Sequence, residues 1–218
     1  MKVTDHGDFL IELTRFPLLT PMSCYFVRED DGLTLIDTTI ATSAGAIAAA
    51  AERLGLPIAR IALTHAHSDH IGALGRLHER FPEAEVLAGS REDMSGSRTR
   101  PDTLLEHGDR VGSLEVVHSP GHTPGHLAYL DTRDRSLIAG DAFVTRGGLE
   151  VVGTARLLMP FPSWFTWHRP TAVASARVLR ALAPSRLAVG HGGVVESPLP
   201  GMDRAIATAE RAVAKQQA

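Results

Sequence analysis

The chain has 218 residues, 44% hydrophobic and 22% charged, with a formal net charge of −3 and a sequence pI of about 6.4. That balance provides for a sizeable core and excludes a largely disordered chain. Lys and Arg are scattered rather than striped, so neither a nucleic-acid surface nor a polybasic membrane patch is expected. The longest uncharged run, Thr38 to Ala51, is short for a membrane span and rich in Ala and Thr.

Cys24 is the only cysteine, so the fold must stand without an internal disulfide, which suits a cytoplasmic setting. Asp5, Asp8, Glu12 and Arg15 interrupt the first apolar residues, and no signal-peptide core is expected. One domain spanning residues 1–218 is anticipated.

In chain order, Phe9–Thr14, Cys24–Arg28 and Leu33–Thr38 read as strands, the last two joined by a turn at Glu29–Gly32. Thr42 or Ser43 caps a helix with Ile47, Ala51 and Leu54 on one face, and Gly55 and Pro57 end it. Arg60–Thr64 is a short apolar strand running into His65. A second helix is expected from about Asp69, with Ile71, Leu74 and Leu77 as its stripe and Pro82 at its close. Glu85–Ala88 is another strand, and residues 90–112 are polar and aperiodic.

Leu114–Ser119, His126–Asp131 and Ser136–Ala139 are then strand-like, with a turn at Asp131–Arg135. Residues 143–170 read as irregular. Thr171–Leu182 reads as a helix, Arg186–Val189 as a strand, and Met202–Lys215 as a final helix. Two groups of strands, each followed by helices, are satisfied by two stacked sheets with helices outside. Period and spacing alone do not establish that architecture.

The segment Thr64-His65-Ala66-His67-Ser68-Asp69-His70 concentrates metal-ligating side chains between a strand and a helix. Imidazole nitrogen and carboxylate oxygen suit zinc and related first-row ions. His65 and His67 can lean into one site from an extended segment, while the turn into the helix can aim Asp69 and His70 at a neighbouring one. Three further segments place a polar residue just after an apolar strand. They are Ser119-Pro120-Gly121-His122, Ala139-Gly140-Asp141 and Val189-Gly190-His191-Gly192. Alone, each of His122, Asp141 and His191 reads more readily as a structural or turn residue; the histidine cluster does not.

Taken in order, Thr-His-x-His-x-Asp-His, Pro-Gly-His-Thr-Pro-Gly-His, Ala-Gly-Asp and Gly-His-Gly resemble the metallo-β-lactamase-fold superfamily over nearly the whole chain. The resemblance implies an α+β fold, a four-layer αββα sandwich of two mixed β-sheets flanked by helices. It implies that His65, His67 and His122 hold one metal, that Asp69, His70 and His191 hold another, and that Asp141 bridges them. Asp37 would orient the histidine loop. The cofactor implied is two divalent ions, zinc first, with iron, manganese or cobalt also suited. A shared, ionised water would attack the substrate, and Asp69 could also pass a proton to the leaving group.

Branches of that superfamily differ in their motifs. β-Lactamases usually lack the bridging aspartate, so Asp141 argues against that activity. Flavodiiron proteins carry Glu where His67 stands. The tRNA-processing and β-CASP nucleases carry extra nucleic-acid-binding segments, for which this length and charge leave no room. Glyoxalase II-like thioesterases usually add a C-terminal helical domain, whereas about 27 residues follow His191 here. N-acyl-homoserine lactonases are similar in site and layout, although some carry tyrosine where Val144 stands.

The expected activity is hydrolysis of an ester, lactone or thioester in a small-molecule substrate. The alternatives are a mononuclear-iron sulfur dioxygenase, using His65, His122 and Asp141, and a phosphodiesterase. Four of the eleven aromatic residues lie in Phe161-Pro-Ser-Trp-Phe-Thr-Trp-His168. Phe161, Trp164, Phe165, Trp167 and His168 are candidates for a substrate-pocket wall, with a core edge or a homodimer contact as the equal alternative. His126 is expected to support the ligands or the fold, His78 and His118 to be structural, and His6 and His107 to be exposed.

Overall fold

The computed structural model describes residues 1–18, 21–154 and 165–217. Side-chain alternation sets the layers. In the segment Met22–Glu29, Cys24 and Phe26 enter one apolar cluster while Tyr25 and Val27 enter another. In Leu127–Asp131, Leu127 and Tyr129 join that second cluster while Ala128 and Leu130 enter a third. A strand that is apolar on both faces must be covered on both, and each fully buried Tyr or Phe contributes about 1.5–3 kcal/mol.

The first sheet takes seven strands in sequence order. They are β1 (Lys2–His6), β2 (Leu10–Arg15), β3 (Met22–Glu29), β4 (Gly32–Ile36), β5 (Ile58–Ala62), β6 (Glu85–Gly89) and β7 (Thr103–Leu105). Then follow β8 (Arg110–Val111), β9 (Leu114–His118), β10 (Leu127–Asp131), β11 (Ser136–Ile138), a small ribbon of β12 (Phe143–Val144) and β13 (Glu150–Val151), β14 (Arg186–Ala188) and β15 (Val195–Glu196). The second sheet has the order β15-β14-β11-β10-β9-β8.

The helices are α1 (Ala44–Leu54), α2 (Ser68–Ile71), α3 (Leu74–Arg80), α4 (Arg169–Ala181) and α5 (Leu199–Gln217). Ile47, Ala51, Leu74 and Leu77 cover the outer face of the first sheet. Ala172, Ala176, Leu179, Met202 and Ala205 cover the second. The layers are therefore αββα, as the sequence motifs implied. Among the described residues no helix is long and apolar enough to cross a membrane.

Topology brings strand ends to one edge. β4 and β5 run parallel in the first sheet, and β11 and β14 run parallel in the second. β9 pairs antiparallel with β10, and β10 with β11, so β9 ends on the same side as β11. Hydrogen bonds tie the sheets together at that edge: Ser23 N–H to Gly190 O at 2.9 Å, Tyr25 Oη to Val189 O at 2.6 Å and Tyr129 Oη to Leu63 O at 2.6 Å.

Several elements depart from expectation. The single helix anticipated from Asp69 is two, α2 and α3. The His70 carbonyl, which a continuing helix would use, accepts instead from Thr38 N–H at 2.7 Å and Thr38 Oγ1 at 2.9 Å. Strands β1, β7, β8, β12, β13 and β15 were not anticipated; most are only two or three residues long, too short to show a period. Helix α4 begins at Arg169 rather than Thr171, because Pro170 fits the first turn of a helix. The final helix begins at Leu199 rather than Met202. His6 is half-buried rather than exposed, since its Nε2 pairs with Glu12 at 3.1 Å.

Candidate metal centre

Most site residues follow the end of a strand. Asp37 follows β4, His65 and His67 follow β5, His122 lies between β9 and β10, Asp141 follows β11 in a short 3-10 turn, and His191 follows β14. Asp69 and His70 sit on α2. These side chains converge in three overlapping groups whose ligand atoms lie within 4.8 Å of one another: His65, His67 and His122; His65, His70 and Asp141; Asp69, His70 and His191. The seven predicted residues thus meet at one place.

Hydrogen bonding fixes which ring nitrogen faces the centre. Asp37 accepts from Thr64 N–H at 2.8 Å, from Thr64 Oγ1 at 2.7 Å and from His70 Nδ1 at 2.8 Å. A hydroxyl has one proton, and Thr64 gives it to Asp37. Thr64 Oγ1 must therefore accept from His65 Nδ1, 3.0 Å away, which leaves His65 Nε2 with its lone pair toward the centre. His65 Nε2 stands 3.1 Å from His67 Nδ1. One buried carboxylate so orients two of the imidazoles. Asp37 holds this position with φ at 61°, a conformation that Asp and Asn tolerate better than most residues.

His126, with no exposed surface, supports Asp141 in the same way. Its Nε2 accepts the Asp141 N–H at 3.1 Å, so its Nδ1 carries the proton and donates to Ser119 Oγ at 2.9 Å. Burial brings the His126 pKa down to about 3, which keeps it neutral for this role. Gly190 lets the His191 strand end pass close by. A Cβ there would sit 2.3 Å from Asp141 Oδ1 and 2.6 Å from His70 Cε1.

Asp141 lies at the middle. Its Oδ1 is 3.4 Å from His70 Nε2, and its Oδ2 is 3.4 Å from His122 Nε2 and 3.3 Å from His191 Nε2. Burial would raise the Asp141 carboxyl, but His191 and His70 outweigh it and hold the group well below the carboxylate range. Asp141 in turn lifts His191 to about 10, against its burial. Burial also opposes charge on His70, yet Asp141 and Asp37 hold it well above the ordinary imidazole value. Burial brings His122 to about 4. Asp69, raised by burial but bonded to His191 at 3.2 Å, falls to about 2.

This donor set fits divalent cations. His70 Nε2, both ring nitrogens of His122 and Asp141 Oδ1 are buried with no hydrogen-bond partner. Leaving such atoms unsatisfied costs about 1–3 kcal/mol each, and unpaired groups in a native interior call for an explanation such as an ion. Imidazole nitrogens and carboxylates are the ligands that zinc and iron take.

The aromatic candidates divide. Phe161 and Trp164 lie outside the described residues. Phe165 is 64% exposed and its ring centroid stands 6.4 Å from that of His67. Trp167 is 58% exposed, and its backbone N–H donates to His122 O at 2.9 Å. His168 N–H donates to Gly121 O at 2.9 Å, while its ring turns to Thr171 Oγ1 at 2.6 Å, at the start of α4. Sequence reasoning passed over Thr64 and Ser119 as hydrogen-bonding supports, and Glu92, whose contacts appear only where two loops meet in space.

A family model described as the metallo-beta-lactamase superfamily matches residues 19–191. The uncharacterized protein YobT of Bacillus subtilis (strain 168) is 40% identical over 97% of this chain and 100% of its own length. A hydroxyacylglutathione hydrolase of Xanthomonas oryzae pv. oryzae is 36% identical over 51% of this chain, which spans 44% of that enzyme. Among solved structures, TTHA1623 in a di-iron-bound form has a TM-score of 0.67 and 28% identity, covering 86% of this chain and 95% of its own. A metallo-beta-lactamase from Pontibacter korlensis has a TM-score of 0.77 over 96% of this chain and 98% of its own, at 15% identity, which shows a shared fold. The chain belongs to the metallo-β-lactamase superfamily.

Proposed function

We propose that the chain is a dinuclear metal-dependent hydrolase acting on an ester, lactone or thioester bond of a small molecule. The observation that carries this reading is the convergence of His65, His67, Asp69, His70, His122, Asp141 and His191 around buried ligand atoms that lack partners. His65, His67 and His122 would hold one ion, Asp69, His70 and His191 the other, and Asp141 would face both. When bound, such a pair of ions supplies an activated water and polarises the attacked carbonyl.

The protein's own groups do the rest. Asp37 and Thr64 keep lone pairs of His65 and His70 aimed inward. Asp69, beside His191 at the same centre, is placed to take the proton lost by the attacking water and hand it to the leaving group. Phe165, whose ring stands near that of His67, and Trp167, whose backbone bonds to His122, offer apolar surface for an acyl or aryl group. The hydroxyacylglutathione hydrolase relatives support a carboxylic-acid derivative as substrate. The di-iron form of TTHA1623 supports two ions and admits iron beside zinc.

A panel of lactone, thioester, aryl ester and phosphodiester substrates tests the reading. The wild-type chain should hydrolyse a carboxylic-acid derivative, and His67→Ala and Asp141→Ala should lose metal and activity together. Undiminished hydrolysis by a metal-depleted variant would refute it.

A further inference from the structure

Glu92 lies just beyond β6 and touches both halves of the three-imidazole group. Its Oε1 accepts from Ala66 N–H at 2.9 Å, and its Oε2 accepts from Thr123 Oγ1 at 2.6 Å. Ala66 stands between His65 and His67, and Thr123 follows His122. The first segment leaves a strand of the first sheet; the second joins two strands of the other. Two further hydrogen bonds cross nearby, Leu127 N–H to Thr64 O at 2.9 Å and Tyr129 Oη to Leu63 O at 2.6 Å. Those lie at the roots of the loops, before the first imidazole, whereas Glu92 grips the loops beside the imidazoles themselves.

Glu92 is itself held in place. Its N–H donates to Gly89 O at 3.0 Å. Gly125 packs so closely against the Arg91–Glu92 backbone that a Cβ there would sit 2.2 Å from Glu92 N. An ionised carboxylate accepting from a backbone N–H and a hydroxyl forms the stronger, charge-assisted kind of hydrogen bond.

We propose that Glu92 is a positioning residue, which sets the separation between the His65–His67 segment and His122 and thereby the affinity of that group for its ion. The proposal rests on the metal-site reading above. Glu92 belongs to none of the ligand groups; it acts by holding two loops from different sheets in register. A site of this kind works only when its side chains are held to within about 0.5 Å.

The test is zinc affinity by chelator competition in a His191→Ala background, where the second group is broken and the first is read alone. Glu92→Ala should weaken zinc binding by about 10–100-fold, the range for loss of a group that orients a ligand. Thr123→Val, which removes one arm of the staple, should weaken it by a smaller factor. Glu92→Gln should stay nearest the parent, because its amide oxygen still accepts from Ala66 and its amide nitrogen can donate to the Thr123 hydroxyl.

Cobalt(II) substitution adds a second readout: the visible band of Glu92→Ala should shift from the parent's, which lowered stability alone would not cause. Parental zinc affinity and an unshifted cobalt band in both Glu92→Ala and Thr123→Val would overturn the proposal, even if both unfolded at lower temperature. Should Glu92→Ala fail to fold, Thr123→Val decides, weakened binding supporting the proposal and parental binding ending it. A wild-type chain that takes up no zinc sinks the metal-site reading as well, while zinc binding indifferent to Glu92 sinks only this inference.

Discussion

Asp37 accepts a 2.8 Å hydrogen bond from His70 Nδ1, and that contact ties the end of β4 to the helix that carries two of the three residues of the second ligand group. The same carboxylate reaches His65 through the Thr64 hydroxyl. Asp37→Asn tests this arrangement, because asparagine tolerates the φ of 61° yet presents an amide donor where a second acceptor is required. The variant should fold and should bind metal about 10–100-fold more weakly. Chelator competition measures this, and wild-type affinity would contradict the role assigned to Asp37.

Metal uptake should release protons. Asp141 holds His191 near 10, so at neutral pH the metal-free chain carries a proton there that an ion must displace. Calorimetric zinc titrations in buffers of different ionisation enthalpy should report net proton release, with affinity rising from pH 6 to 8. Binding that is independent of pH and buffer would contradict it.

The same shifts set the stability of the metal-free chain. His191, raised from 6.5 to about 10, contributes stability that is full below 6.5 and lost as pH rises through about 10. Asp69, lowered from 3.8 to about 2, contributes stability present above 3.8 and lost as pH falls through about 2. Buried His122 and His126, lowered from 6.5 to about 4 and about 3, act oppositely, because the unfolded chain takes up their protons below 6.5 and the folded chain does not, so thermal unfolding of the metal-free protein should show greatest stability near pH 6.5, declining on both sides. Rising stability from pH 7 to 10 would count against the pairing.

Much of the site was legible because metal chemistry concentrates rare residue types in short, ordered motifs. His65, His67, Asp69 and His70 share one segment, and glycines mark the strand ends that carry Asp141 and His191. The long strands and helices were legible because Cys24, Tyr25, Phe26 and Val27, or Ile47 and Ala51, repeat at periods a fold must respect. Strands of two or three residues such as β8 and β15 carry too few positions to show a period, and their pairing comes from the tertiary structure. Glu92 was invisible for a related reason: its partners Ala66 and Thr123 lie 26 and 31 residues away, and nothing local marks the contact.

Gly190→Ala should uncouple folding from metal binding. The added methyl would press on Asp141 Oδ1 at 2.3 Å and on His70, and the three atoms it would meet first all belong to these two side chains. Overpacking of this sort costs about 1–3 kcal/mol, so circular dichroism should remain native-like while bound metal falls. A fully loaded Gly190→Ala protein would show that Asp141 is not confined there.

Phe165→Ala and Trp167→Ala separate binding from chemistry. Both side chains are exposed, Phe165 with its ring near that of His67 and Trp167 on a segment whose backbone bonds to His122, and neither is among the ligand groups. Each truncation should raise KM for a substrate with an apolar acyl or aryl group, by about 5–30-fold for a loss of about 1–2 kcal/mol of contact, with kcat little changed. An unchanged KM in both would remove this wall from the substrate site.

Counting metal on the purified wild-type chain tests the central claim most directly. Elemental analysis after loading and removal of free metal should give two ions per chain, falling in Asp141→Ala. A saturated wild-type chain that never holds more than one ion, and holds iron in that place, would contradict the dinuclear account and favour the single-iron alternative.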